Sequence, residues 1–458
     1  MALGKRKPVQ QPLFVTMTDL NLRSHPFYDA VNKVLAAHHF DSYVEQLCAP
    51  FYSDEGRPGL APGIYFRCLM VGYFEGIDSE RGIDWRCNDS LSLKLFLGIA
   101  CDKPAPDHST ISRTRRLIDL ETHQQVFQYV LKMLANHDLI QGKTVGIDST
   151  TLEANAAMRS IVRRDTGEGY QQFLERLARE SGIPTPTRED LVKLDKERKN
   201  KASNDDWQSP DDPDAKITKM KDGTTHLAHK AEHAVDMGED AHGAILAINI
   251  CDAAAGDTAT LVDTVVAATE NLRAVKDDDR VADKIDDDFM SESVLDKGYH
   301  SKQTVLDLEE MNIRSYASEP RRKRQDWEGD LDARNAVYAN RRRIKGERGR
   351  RLLRSRGEKL ERSFAHCYET GGLRRLYLRG TENVAKRALI HAGGFNLGLL
   401  MRVSYSLRKP RSGPGATCAP IFVLVCWLRT FRAFLRTIGS HGRPIAISNQ
   451  VSVFALAA

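Results

Sequence analysis

The chain lacks a C-x-x-C pair, although it carries eight cysteines, at positions 48, 68, 87, 101, 251, 367, 418 and 426. That absence excludes a zinc ribbon and a thioredoxin-type redox motif. In a chain of 458 residues, thiols scattered in this way read as reduced and partly buried. Long hydrophobic runs are lacking too. No stretch reaches the roughly 18 consecutive apolar residues of a membrane-crossing helix. The nearest, APIFVLVCWL at 419–428, is short and runs into arginines, so no membrane partner is expected. The N-terminal MALGKRKPVQQPLF is basic and has no apolar signal-peptide core, which points to the cytoplasm. A strong charge of one sign is also missing, since the formal net charge is only +5.

What is present fits a globular protein of two or three domains, with 41% hydrophobic and 28% charged residues. The mild net charge is unevenly spread. Residues 341–362, RRRIKGERGRRLLRSRGEKLER, hold eleven Lys/Arg against three Glu. So dense a basic block favours a polyanionic partner, nucleic acid, over a merely solvated helix face.

Residues 20–140 read as helical, with apolar residues three and four apart in YDAVNKVLAAHHFDSYVEQLCA and PGIYFRCLMVGYFEG. Pro104 and Pro106 end one element, and Asp107 or Ser109 caps the next helix. That helix carries Arg113, Arg115 and Arg116, which are placed to cross DNA phosphates or to face solvent. From Lys143 the period changes. Strands are expected at TVGIDSTTLEA, AEHAVDM (231–237), AILAINICDA (244–253), before the turn in SVLDKGYHS (293–301), and at IRSYASE (313–319). Helices are expected after Asp257, as its cap, and from Ser301 to Met311. The sum is an α/β fold with a sheet of mixed direction. Residues 159–222 interrupt it with a charged helix, YQQFLERLARE, and a polar stretch, NKASNDDWQSPDDPDAK, of solvated-loop composition. The Asp-rich KDDDRVADKIDDDF matches no calcium-loop spacing and reads as an exposed acidic loop.

Asp148 and Asp296 each end an expected strand. If those strands are neighbours, both carboxylates emerge at the sheet edge where open α/β sheets bind ligands. Two carboxylates held close call for a proton or a bridging cation, and Mg²⁺ suits because it needs few protein oxygens. Glu358 and Glu361, three apart on one expected helix in the basic block, are the candidates for a third acid. His226, His229 and His233 have spacings that suggest zinc. They read instead as the approach into a strand, where the spacing does not put them on one face.

The segments GIDSTTLEANA, KDGTTHLAHKAEHAVD, LDKGYHS and GEKLERSFAHCYETGGLRRLYLRGTENVAKRALIHAGGFNLGLLMR, with PDHSTISRTRR upstream, occur in the order seen in DDE-type transposases of bacterial insertion sequences. The chain resembles that family from about residue 12 to about residue 402. The resemblance implies a ribonuclease-H-like mixed sheet flanked by helices, preceded by an all-helical N-terminal domain. It further implies two divalent metal ions, Mg²⁺ with Mn²⁺ as substitute, held by Asp148, Asp296 and best Glu361, with Glu358 as the alternative. The family's tyrosine–arginine–glutamate–lysine signature is only partly matched. Tyr338 and Arg341 have its first spacing, but Tyr368 stands where lysine would, so that role passes to Arg374 or Arg375.

The implied activity is cleavage of DNA at terminal inverted repeats followed by strand transfer. The implied partners are double-stranded transposon-end and target DNA and a second copy of the chain, in the bacterial cytoplasm at the nucleoid. DNA contacts would come from Arg113, Arg115, Arg116, Arg341, Arg342, Arg354, Arg356, Arg362, Arg374 and Arg375. Lys297 and Tyr299, beside Asp296, would touch the flanking strand unless Tyr299 simply packs. The expected organisation is a tail at 1–19, a helical DNA-end-binding domain at 20–140, a catalytic domain at 141–402 with its insertion at 159–222, and a variable extension at 403–458.

Overall fold

The computed structural model describes residues 24–410, apart from 54, 57, 199–201, 221–222, 239–240, 322–326 and 328. The expected tail at 1–19 and most of the extension at 403–458 lie outside the described residues. Seven helices open the described chain: α1 Pro26–Ala37, α2 Phe40–Cys48, α3 Pro62–Glu75, α4 Glu80–Asp89, α5 Leu91–Leu97, α6 His108–Leu117 and α7 Leu120–Asn136. Their starts follow side-chain chemistry. Ser79, Ser90, Asp107 and Asp119 each accept a backbone N–H of the first turn, which satisfies donors that have no intrahelical partner. Of the two caps expected for α6, Asp107 is the one used. Helix α3 is buried on nearly every side, as its almost continuous apolar sequence requires.

The sheet begins at β1, Thr144–Glu153. The insertion then forms β2 Val162–Arg163, α8 Tyr170–Glu180, α9 Arg188–Glu197 and β3 Trp207–Gln208, with β2 antiparallel to β3. The described part of the stretch expected as a solvated loop, 202–216, is therefore structured. Trp207 is buried in a small core with Ala154, Ile161, Ala215 and Leu227. Composition missed this because one tryptophan can anchor a polar segment. The chain continues through β4 Lys216–Lys219, β5 Thr225–Asp236, β6 Ile245–Asp252, α10 Asp257–Lys276, β7 Glu292–Leu295, α11 Lys302–Glu310, β8 Arg314–Ala317, α12 Leu331–Lys345, α13 Glu347–Phe364 and α14 Thr381–Ser404. Strand order is β4-β5-β1-β7-β8, with β6 also on β5. β5 runs antiparallel to β1, β4 and β6, while β7 is parallel to β1 and to β8, so the sheet is mixed as expected.

Two further expectations need correction. Asp257 is the first residue of α10, and Gly256 stands at the cap. His229 and His233 lie within β5, where residues four apart share a face but sit about 13 Å from each other. They have separate partners, Asp212 for His229 and Ser363 with Tyr368 for His233, so they form no metal pair.

One hydrophobic core runs from Phe27 to Met401. Helix α14 packs on α3, α7 and β6, tying the N-terminal helices to the sheet. Helix α13 covers one sheet face against β1, β5 and β7, and α10 covers the other. It leaves α12 at a sharp corner that Gly349 permits, because a Cβ there would lie 2.1 Å from the Arg343 carbonyl oxygen. No helix among the described residues is long and apolar enough to cross a membrane.

Candidate metal and nucleic-acid site

Parallel pairing sets Ile147 beside Leu295, so the next residues, Asp148 and Asp296, stand side by side. The expectation that both end strands is corrected for Asp148: β1 runs on to Glu153, held by its antiparallel pairing with β5, and only Asp296 lies just past its strand. The pleat then sorts their neighbours. Asp148 is opposite His233 in the antiparallel register, on the face that α13 covers. Ser149 is opposite Glu232, on the face of α10.

On the α13 face, one guanidinium spans the carboxylate pair. Arg356 Nη1 donates to Asp148 Oδ2 at 2.8 Å, and its Nη2 stands 3.5 Å from Asp296 Oδ1. The carboxylates are partly open, with side-chain exposures of 28% and 44%. Burial raises the Asp148 carboxyl above the ordinary aspartate value and Asp296 adds to the rise, while Arg356 and the Ser149 N–H oppose it. Arg374 borders the same spot. Its Nη1 reaches Thr150 Oγ1 and the Thr151 carbonyl, and Glu369 holds its other nitrogens.

The α10 face braces β1 beside Asp148 and the turn after Asp296. Ser149 Oγ donates to Asp257 Oδ1 at 2.9 Å, and Lys230 Nζ is 2.8 Å from the same oxygen. Gly298 lies against Asp257 so closely that a Cβ would meet its Oδ2 at 2.6 Å. Tyr299 Oη donates to buried Glu232 at 2.6 Å, and Thr260 and Thr264 donate to the same carboxylate. Burial raises the Glu232 carboxyl, and these donors work against that rise. The turn after Asp296 is thus held from beneath by its own glycine and tyrosine. Replacing Tyr299 by Phe is expected to lower stability by about 2 kcal/mol, the worth of a buried bond to a carboxylate. A urea-unfolding midpoint equal to that of the parent would contradict this.

The third acid does not join the pair. Among the described residues no three His, Cys, Asp or Glu side chains are grouped to hold a metal ion. Glu361 is exposed on α13, five residues beyond Arg356 and so about 140° around the helix. Glu358 lies on nearly the opposite side from Arg356 and pairs with Arg362. Two carboxylates still suit a hard divalent cation that keeps waters and phosphate oxygens as its other ligands. A guanidinium already answers their charge there, which is what a cation seat requires.

The basic candidates divide by exposure. Arg113, Arg116, Arg342, Arg354, Arg375 and Lys297 are exposed. Arg341 is half-buried against Glu319. Two expected DNA contacts are corrected. Arg115 is buried and paired with Glu80 and Asn383, and Tyr299 is wholly buried. Helical periodicity places Arg115 on the packed side of α6, which a run of adjacent arginines conceals. The braces Lys230, Glu232 and Asp257 were missed as well. Their one signal was alternation of charged residues within KAEH, which also describes a solvent-facing strand.

Residues 18–117, from before α1 to the end of α6, match the family model described as Transposase domain (DUF772). The match supports a transposase. No curated protein and no solved structure matches the chain.

Proposed function

We propose that the protein is a transposase of the DDE type. It binds the terminal inverted repeats of an insertion sequence, cuts the DNA there and joins the freed end to a target. One observation carries this reading: Asp148 within β1 and Asp296 at the end of β7 stand side by side on adjacent parallel strands beneath a basic helix, in a chain whose N-terminal helices match a transposase domain. We read the sheet as ribonuclease-H-like on the same ground.

Asp148 and Asp296 would hold divalent ions, Mg²⁺ or Mn²⁺, and Glu361 is proposed as the third acid from its motif alone. The ions, when bound, supply activation of the attacking oxygen and stabilisation of the leaving one. The protein's own part is to place and charge the site. The Asp257 and Glu232 braces fix where the two carboxylates point. Exposed Arg342, Arg354, Arg375 and Lys297 hold the DNA backbone by charge, with Arg113 and Arg116 on α6 as further contacts. Half-buried Arg341, Arg362 and Arg374, each tied to a carboxylate, are proposed as further contacts. Ser149 is bound to Asp257 and does not act as a nucleophile; attack belongs to water or a DNA 3′-hydroxyl. A second copy of the chain is proposed to pair the two DNA ends.

The test uses duplexes spanning each flank of the coding region, incubated with the protein and Mg²⁺. Joined product is expected, and binding should weaken about in proportion to a power of salt concentration set by the number of phosphates neutralised. Nicking without joining would reduce the reading to a nuclease. Binding without cutting would overturn the catalytic assignment.

A further inference from the structure

We propose that Arg356 is a displaceable counter-ion, which holds the seat between Asp148 and Asp296 in the DNA-free protein and leaves it when DNA arrives. The inference rests on the reading of those two aspartates as cation ligands.

Three observations carry it. First, the guanidinium contacts both carboxylates, at 2.8 and 3.5 Å, and its side chain is only 15% exposed. It is the one side chain, among the described residues, that forms ion pairs with both aspartates. A divalent cation placed between them would face that fixed positive charge at contact distance, so the two occupants exclude each other. Second, Arg356 belongs to basic helix α13, whose outer side is exposed, and not to the braced sheet. A phosphate on this helix offers the guanidinium a bidentate partner equal to the carboxylates it gives up. Third, the next residue is Gly357, in the middle of an 18-residue helix. Glycine is among the weakest helix formers, yet nothing lies within 4 Å of where its Cβ would be. Packing gives no reason for that glycine. Close approach of a phosphate backbone, or the swing of Arg356 past it, does.

The consequence is coupling. A cation that must first displace Arg356 binds with an affinity reduced by the fraction of protein in which the seat is free. DNA that draws Arg356 away restores the affinity, and by reciprocity the cation strengthens DNA binding. The protein thereby keeps its metal site closed until substrate is in place.

The experiment is an electron-paramagnetic titration of free Mn²⁺ with the full chain, without DNA. Arg356→Ala and Arg356→Gln, the latter keeping most of the side-chain volume, are each expected to bind Mn²⁺ at least about tenfold tighter than the parent. Adding Asp148→Asn to either variant should remove that binding. Addition of a DNA duplex should tighten Mn²⁺ binding more in the parent than in the Arg356 variants. Equal Mn²⁺ affinity in parent and variants, with binding still lost in Asp148→Asn, would overturn the displacement while leaving the metal site intact. Mn²⁺ binding that survives both Asp148→Asn and Asp296→Asn, or that is absent throughout, would overturn the site reading and this inference with it.

Discussion

Asparagine at position 148 or 296 is expected to lower the rate of DNA-end cleavage by about a thousandfold or more, while affinity for the duplex changes only a few fold. The size follows from the charge removed. A carboxylate that fixes a catalytic cation commands several kcal/mol of transition-state stabilisation, and each 1.4 kcal/mol is a factor of ten in rate. Asparagine keeps the shape and still accepts the Arg356 bond at position 148. It supplies neither the charge nor the second lone-pair oxygen that a hard cation needs. Folding should survive. Asp148 sits in a place that opposes its own ionisation, through burial and through Asp296, so neutralising it does not strand a satisfied charge. Single-turnover cleavage, DNA affinity and urea unfolding measured on the same variants separate these effects. Full cleavage by Asp148→Asn would sink the assignment. Glu361→Gln belongs in the same series, because loss of cleavage there would require the exposed glutamate to reach the pair when DNA is bound.

Acid is expected to destabilise the protein well above the pH at which its carboxylates protonate. Three histidines are buried and neutral. Burial pushes His233 down to about 3 and His123 to about 4, and it also takes His391 well below its ordinary value. Their environments explain the direction. His233 lies between Ser363 and Tyr368, His123 between Tyr65 and the Asp119 carbonyl, and His391 near Arg387, whose charge repels a second cation. Unfolded histidine titrates near 6.5, so below that pH the unfolded chain takes up protons that the folded chain refuses. Stability is therefore complete above about pH 7 and falls as the pH drops through 6.5 toward 4. Between pH 7 and pH 5 each histidine should subtract roughly 2 kcal/mol by linkage. Together they are comparable to the whole stability of many domains. Urea midpoints across that range, with proton uptake on unfolding, measure the effect. Constant stability from pH 7 to pH 5 would refute it.

How far the sequence could be read depended on the range of the interaction. Local periodicity located β1, β6, α10 and α11 within a few residues, since alternation and capping are properties of neighbouring positions, but found only the second half of β5, which begins at Thr225. It put Asp296 correctly at a strand end but Asp148 wrongly so, because β1 continues to Glu153 through pairing with the distant β5. It misjudged the insertion, where Trp207 and the Asp212–His229 pair build an interior from distant residues. It likewise misjudged Arg115 and Tyr299, whose side chains point inward for reasons that no short window contains.

The site divides along the same line. The sequence by itself determined that Asp148 and Asp296 each follow a short apolar strand run and that a basic helix comes after them, because those are matters of composition and spacing. Only the tertiary structure decided that the two strands are parallel neighbours and that Lys230, Asp257 and Glu232 brace β1 and the turn after Asp296 from the far face. It also decided that Arg356, of all the arginines in the block, lands between the two carboxylates. Strand register, pleat and helix rotation decide those facts, and each is set by packing across the whole core.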